Sequence, residues 1–143
     1  MMLKERGIGF AYSLSIGNEA NVDIVDCLEF FESDPYTDVI CLYIEEIKRG
    51  KEFFQAASRI SQKKPILAIY VGGSEIGARA VASHTGSMAG NDLVFDGMFK
   101  QAGIIRAFDI EELIDAASMF SKFVPKGAIP KRKRIAVVTN AGG

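Results

Sequence analysis

Short apolar runs alternate along this chain with amphipathic stretches. Residues 39–44 (VICLYI), 66–71 (ILAIYV) and 135–138 (IAVV) are continuous apolar runs of strand length. Such runs, without polar alternation, suit strands buried on both faces of a parallel sheet. Weaker strands are expected at 10–16 and 104–107. Between the runs come helical patterns. Residues 22–31 carry apolar Val25, Leu28 and Phe31 and stop before Asp34-Pro35, because proline pushes the residue ahead of it out of the helical region. A second helix follows Gly50, with Phe53, Phe54, Ala57 and Ile60 on one side, and ends at Lys63-Lys64-Pro65. A third runs from Asp92 to Ala102 and is closed by Gly103. A fourth begins at Asp109, with Asp109 and Glu112 at capping-box spacing. Its apolar stripe is expected to be Leu113, Ala116, Ala117, Phe120 and Phe123.

Alternating strands and helices predict an α/β fold: a doubly wound, mostly parallel sheet in three layers, of flavodoxin-like layout. The 143 residues are too few for an α/β barrel. Residues 1–124 are expected to form this domain. Residues 125–133 (PKGAIPKRK) read as a linker, and their basic end as a solvated run before it reads as a nucleic-acid patch. Residues 134–143 (RIAVVTNAGG) read as the first strand and Gly-rich turn of a following domain.

Composition narrows the function classes. Hydrophobic residues are 48% and charged residues 24%, which excludes a disordered chain. Seventeen basic residues against eighteen acidic ones leave a formal charge of -1, so no nucleic-acid or anionic-lipid partner is expected. No apolar run is long enough to span a bilayer and no signal peptide opens the chain, so a cytoplasmic protein is expected. The two cysteines, Cys27 and Cys41, have no C-x-x-C spacing and read as small buried hydrophobes in a reducing compartment.

In doubly wound sheets ligands sit beyond the carboxyl ends of the strands. That rule selects Gly17-Asn18, Glu45-Glu46 and the segment 72–90. The segment is long for a strand-to-helix connection and is punctuated by Gly72, Gly73, Gly77, Gly86 and Gly90. It carries the chain's one histidine, His84, among Ser83, Thr85, Gly86 and Ser87. Glycines and small hydroxyls expose backbone N–H groups suited to a phosphoryl group. No Walker motif, dinucleotide fingerprint or G-x-S-x-G elbow is present, and one histidine without a cysteine cluster argues against a metal site. Covalent histidine chemistry remains. Neutral imidazole is a nucleophile with a pKa near ambient pH, and a carboxylate can set its tautomer. Glu45 or Glu46 either orients His84 across the sheet end or only caps an exposed strand. Gly17-Asn18 either lends donors to an anion or is only a turn.

These residues resemble a known family. The 72–90 segment, with Ser83-His84-Thr85-Gly86 at its core, is similar to the phosphohistidine loop of the NDP-forming acyl-CoA synthetases. Ser15-Ile16-Gly17-Asn18, Asp34-Pro35-Tyr36-Thr37, Leu42-Tyr43-Ile44-Glu45, Lys64-Pro65, Gln101-Ala102-Gly103 with Ile105, Glu111-Glu112-Leu113 and Val138–Gly143 match the pattern in order. The resemblance implies reversible conversion of a carboxylic acid, CoA and ATP to acyl-CoA, ADP and phosphate. The route is an acyl phosphate and a phosphohistidine. His84 would be the nucleophile and Glu45 its orienting carboxylate, with Glu46 the second choice. Gly72, Gly73, Ser83, Thr85, Gly86 and Ser87 would shape the loop.

No tightly bound cofactor is implied. CoA, ATP or ADP and phosphate would be substrates, and magnesium would accompany the nucleotide at a site outside this chain. The implied partners are a CoA-binding Rossmann domain and an ATP-grasp domain or subunit; a homo-oligomer is also allowed. The family's opening strand and Ser-Gly-rich turn are not found ahead of Met1, so the fragment alone is expected to lack full activity. The 134–143 tail has the same form as that unit and is expected to fill its strand position, in this chain or a neighbour. Two alternatives are a non-catalytic CoA- or acyl-sensing module, such as the synthetase-like part of a protein acetyltransferase, and a receiver domain. A receiver needs aspartates that Gly17-Asn18-Glu19 does not supply.

Overall fold

The 39–44 and 66–71 runs do pair. In the computed structural model, which describes residues 7, 9–71 and 92–127, they form the parallel strands β1 (Ile40–Ile44) and β2 (Ile66–Tyr70). The register sets Ile40 beside Ile66 and Ile44 beside Tyr70. A short third strand, β3 (Ile105–Arg106), pairs parallel with the other edge of β2, so the sheet order is β1-β2-β3. Four helices connect and cover it: α1 (Ile24–Ser33), α2 (Gly50–Ile60), α3 (Asp92–Ala102) and α4 (Ile110–Phe123). A single 3-10 turn, Val124–Lys126, follows α4.

Alternation along the strands divides the core. Ile40, Leu42, Ile44, Ile66, Ala68 and Tyr70 face one layer, where α1, α2 and α3 pack side by side. Leu28, Phe53, Ile60 and Phe99 are fully buried there. Leu67 and Ile69 face the opposite layer, where α4 covers β2 with Ile114 and Ala117. The three layers are those expected from the sequence.

Four expectations need correction. β2 is buried on both faces, but β1 alternates, with Cys41 and Tyr43 exposed on the face that α4 does not reach. Cys41 is therefore not a core residue, and Cys27 is only half-buried. Residues 10–16 form no strand in the described chain. The buried face of α4 centres on Ile114 and Ala117, one position off the expected stripe, and leaves Phe123 exposed. The 135–138 run lies outside the described residues.

Local signals explain where the helices begin and end. α1 starts two residues later than expected because Asp23 caps it. The Asp23 carboxylate accepts from the amides of Val25 (2.8 Å) and Asp26 (3.2 Å), and Asp26 accepts from the Asp23 amide (2.9 Å). This is a capping box built with Asp at both ends. Arg49, just ahead of α2, donates to the same pair, reaching Asp26 at 2.7 Å and Asp23 more closely. The N-termini of α1 and α2 are thus clamped together. At the other end of α1, Asp34 is buried. Its carboxylate accepts from Thr37 (2.6 Å) and Tyr12 (3.3 Å), and its carbonyl accepts from Lys64 (2.6 Å). The Asp34-Pro35-Tyr36-Thr37 motif is therefore structural, tying segment 9–16, α1 and the approach to β2.

α4 is capped by Asp109, which accepts from the Glu112 amide at 2.8 Å. The reciprocal bond is displaced by one residue: Glu112 accepts from the amide of Phe108. Gly103 closes α3 with a φ of 71°.

A Cβ at Gly103 would stand 2.7 Å from Ser61 Oγ, the hydroxyl that donates to the Ala102 carbonyl. Gly103→Ala should destabilise by about 1–2 kcal/mol from the left-handed backbone alone, and by more for the displaced serine. Chemical denaturation checks this, and Ser61→Ala should cost less in the Gly103→Ala background than in the wild type. The second expectation concerns pH. Hydrogen bonding from Arg49 holds the Asp23 carboxyl down at about 2, against partial burial, which pushes it up. A depressed carboxyl contributes stability above its unfolded pKa and loses it as pH falls through the folded one. Unfolding free energy should therefore drop between about pH 4 and pH 2. Asp23→Asn should flatten that part of the profile while lowering stability at neutral pH.

Candidate active site at the carboxyl edge of the sheet

Parallel strands deliver every strand-to-helix turn to one edge. Glu45 and Glu46 leave β1 at that edge, both exposed. The 16–19 turn lies beside them. Gly17 has a φ of 55°, and the Glu19 amide donates to the Ile16 carbonyl at 3.2 Å. Lys48 crosses from the β1 side to donate to the Asn18 carbonyl. Burial pushes the Glu19 carboxyl up, the Ile24 amide and Lys48 oppose this, and the charges of Asp23 and Glu46 add to it. Two of the three segments selected from the sequence, Gly17-Asn18 and Glu45-Glu46, are thus neighbours in the structure.

The third segment is anchored at the same edge. The Val71 amide donates to the Ile44 carbonyl at 2.9 Å, so the chain enters Gly72 next to Glu45. It re-emerges at Asp92, which pairs with Arg106 at the end of β3. Arg106 is largely buried, lies 3.6 Å from Asp96 and stacks over Phe108 at 4.9 Å. Its Nε is buried without a hydrogen-bond partner among the described residues. Behind this, Tyr70 at the end of β2 stacks on Phe95 of α3 with ring centroids 3.7 Å apart. His84 itself, with Gly72, Gly73, Ser83, Thr85, Gly86 and Ser87, lies outside the described residues.

Arg106, Lys48 and Glu19 are the edge residues that sequence reasoning missed. Arg106 had a usable signal, since it follows a predicted strand and the carboxyl-edge rule applies to that strand as much as to the others. Lys48 and Glu19 had none, because their meeting depends on the turn geometry at Gly17. No group of three or more potential metal ligands occurs among the described residues. No described helix is long and apolar enough to cross a membrane.

Chemically, this edge offers carboxylates beside a Gly-rich, histidine-bearing segment, with cations on two sides. That arrangement suits a nucleophilic imidazole oriented by a carboxylate. Residues 1–120 match the family model described as the succinyl-CoA ligase like flavodoxin domain. The alpha subunit of an ADP-forming acetate–CoA ligase from Pyrococcus furiosus is 44% identical over 95% of this chain and 29% of its own length. An ADP-forming acetate–CoA ligase from Methanocaldococcus jannaschii is 45% identical over 95% of this chain and 19% of its own. A 4-hydroxybutyrate–CoA ligase from Nitrosopumilus maritimus is 39% identical over 96% and 20%. Among solved structures, acetyl-coenzyme A synthetase 1 of Candidatus Korarchaeum cryptofilum, in complex with phosphate and ADP, superposes with a TM-score of 0.73 at 47% identity. It covers 78% of this chain and 24% of that one. The chain thus spans less than a third of the curated relatives it matches. Its sheet, its helical layers and the match over most of its length agree: the chain belongs to the succinyl-CoA ligase-like flavodoxin domains.

Proposed function

We propose that this domain carries the phosphoryl-relay step of an ADP-forming acyl-CoA ligase, with His84 as the relay. The observation that carries the reading is the convergence of the 16–19 turn, Glu45 and both anchors of the 72–91 segment on one sheet edge. The relatives' names give the overall reaction class.

In the acyl-CoA-consuming direction, phosphate displaces CoA from the acyl group, giving an acyl phosphate and free CoA. An imidazole nitrogen of His84 then attacks phosphorus, and the carboxylic acid leaves as its carboxylate. ADP finally takes the phosphoryl group as ATP and restores neutral His84. Each transfer makes one P–O or P–N bond and breaks one. Phosphorylation leaves positive charge on the ring, and a carboxylate on the far nitrogen stabilises it and holds the reactive tautomer. Glu45 is assigned that role because the chain enters Gly72 beside it; Glu46, one residue on, is the second candidate. Gly72, Gly73, Ser83, Thr85, Gly86 and Ser87 cradle the phosphoryl oxygens, and the Gly17-Asn18 turn borders them. Magnesium would travel with the nucleotide at a site outside this chain. CoA and nucleotide binding would fall to further domains, a CoA-binding Rossmann domain and an ATP-grasp domain or subunit.

The test uses the full-length enzyme with acetyl-CoA and radiolabelled phosphate. A protein-bound label that is acid-labile and base-stable is expected in the wild type and absent in His84→Ala. Equal labelling of His84→Ala would overturn the assignment, as would acyl-CoA binding with no labelling at all. Glu45→Gln should slow labelling roughly 10²–10⁴-fold, the range of a positioned proton-handling group, and Glu46→Gln much less. A larger loss in Glu46→Gln would exchange their roles.

A further inference from the structure

β1 has a free edge among the described residues. The Ile40 amide donates to the Pro65 carbonyl (3.0 Å), and the Val71 amide to the Ile44 carbonyl (2.9 Å). In a parallel ladder alternate residues bond to the same neighbour. Residues 40, 42 and 44 therefore turn their amides and carbonyls to β2, while Cys41 and Tyr43 turn theirs away. Beside that edge is a cavity of about 400 Å³, bounded on its far side by segment 9–14. Ile24 and Phe31 of α1 line one face of it, and Leu113, Ile114 and Ala117 of α4 line the other. The sheet-edge side chain Tyr43 is 59% exposed and Leu14 opposite is 58% exposed. An occupant here would need a strand's backbone to satisfy the edge. It would also need apolar side chains on both faces, because a helix covers each face.

The path of the chain selects the occupant. α4 packs back across β2, and its last turn brings Ser121 and Lys122 into a recess shared with Tyr36 and Asp38, just ahead of β1. A chain continuing from Gly127 thus starts at the amino end of the strands and would run parallel to β1. Residues 128–133 can reach roughly 20 Å when extended, ample for that entry. The segment they lead to, Arg134-Ile135-Ala136-Val137-Val138-Thr139, is a continuous apolar run with no polar alternation. That is the pattern of a strand buried on both faces.

We propose that residues 134–139 of the same chain insert as a strand between β1 and segment 9–16. Insertion would carry Asn140-Ala141-Gly142-Gly143 to the carboxyl edge, where their amides would stand beside the Asn18 and Glu45 turns. The inference does not rest on the phosphoryl-relay reading, since it concerns only backbone pairing and packing.

The test is disulfide trapping in the full chain with Cys27→Ser, leaving Cys41 as reporter. Ala136→Cys, Val137→Cys and Val138→Cys are made singly and oxidised, and products are sized on non-reducing gels and mapped by mass spectrometry. A strand alternates its faces, so a monomer-sized bond should form at 137 alone, or at 136 and 138 but not 137. Equal bonding at all three, no bonding, or bonds only in dimers would overturn the proposal; the last would identify a second copy as the occupant. Amide hydrogen exchange gives an independent reading. Cys41 and Tyr43 should exchange at least about tenfold slower than in a Val137→Pro variant, since proline breaks ladder bonds. Ile69 of β2 should remain protected in both. Equal exchange at Cys41 and Tyr43, with Ile69 protected, would also overturn it.

Discussion

Parallel pairing of β1 and β2 is the constraint on which the rest depends. A parallel neighbour can be reached only by carrying the chain back over a face of the sheet. That return is what α2 does between β1 and β2, and it requires a helix whose apolar face matches the strands. Phe53, Ala57 and Ile60 supply the match against Ile40, Leu42 and Ala68. The same constraint sends every outgoing turn to one edge. Glu45, Gly72 and Arg106 meet there because each follows a strand that points the same way. Chemistry collects at the edge as a consequence of topology.

Two buried aspartates hold the frame in different ways. Burying a carboxylate is costly unless its oxygens are satisfied. Asp23 is satisfied by helix amides and by Arg49, so it fixes the entry of α1 relative to α2. Asp34 takes a threonine and a tyrosine hydroxyl, and its cationic neighbour Lys64 binds its backbone carbonyl instead. It works as a junction, joining segment 9–16, the end of α1 and the chain entering β2. Both clamps sit on elements that flank β1, the strand with the least cover. That placement keeps β1 in register without a second neighbour.

The fold was legible in the sequence wherever one signal dominated. Ile66–Tyr70 is apolar at every position and is buried at every position. Asp92–Ala102 is bounded by a long Gly-rich segment and by Gly103, and its ends match the expectation. Where two signals competed, the reading slipped. In 39–44 the run is as apolar as in β2, but burial depends on what covers each face, and composition does not encode that. At 22–31 the apolar spacing obscured Asp23, whose cap required recognising Asp26 as a substitute for glutamate. The candidate site was legible as three segments, because the edge rule needs only strand order. Its cations were not, because Lys48 and Arg106 reach it through side-chain geometry that no spacing encodes.

The open edge of β1 and the candidate site belong to one structural problem. The backbone groups of Cys41 and Tyr43 are turned toward a cavity walled by apolar side chains, and water there satisfies amides at the expense of exposed Tyr43 and Leu14. A strand resolves both demands at once, since it pairs the backbone and buries the side chains. Whatever strand does so must end where β1 ends, beside Glu45. Completing the sheet and completing the edge therefore cannot be separated. Any segment that removes the unpaired edge also delivers its own turn to the place where the 72–91 segment is anchored. A change in that segment would register at the chemistry without touching His84.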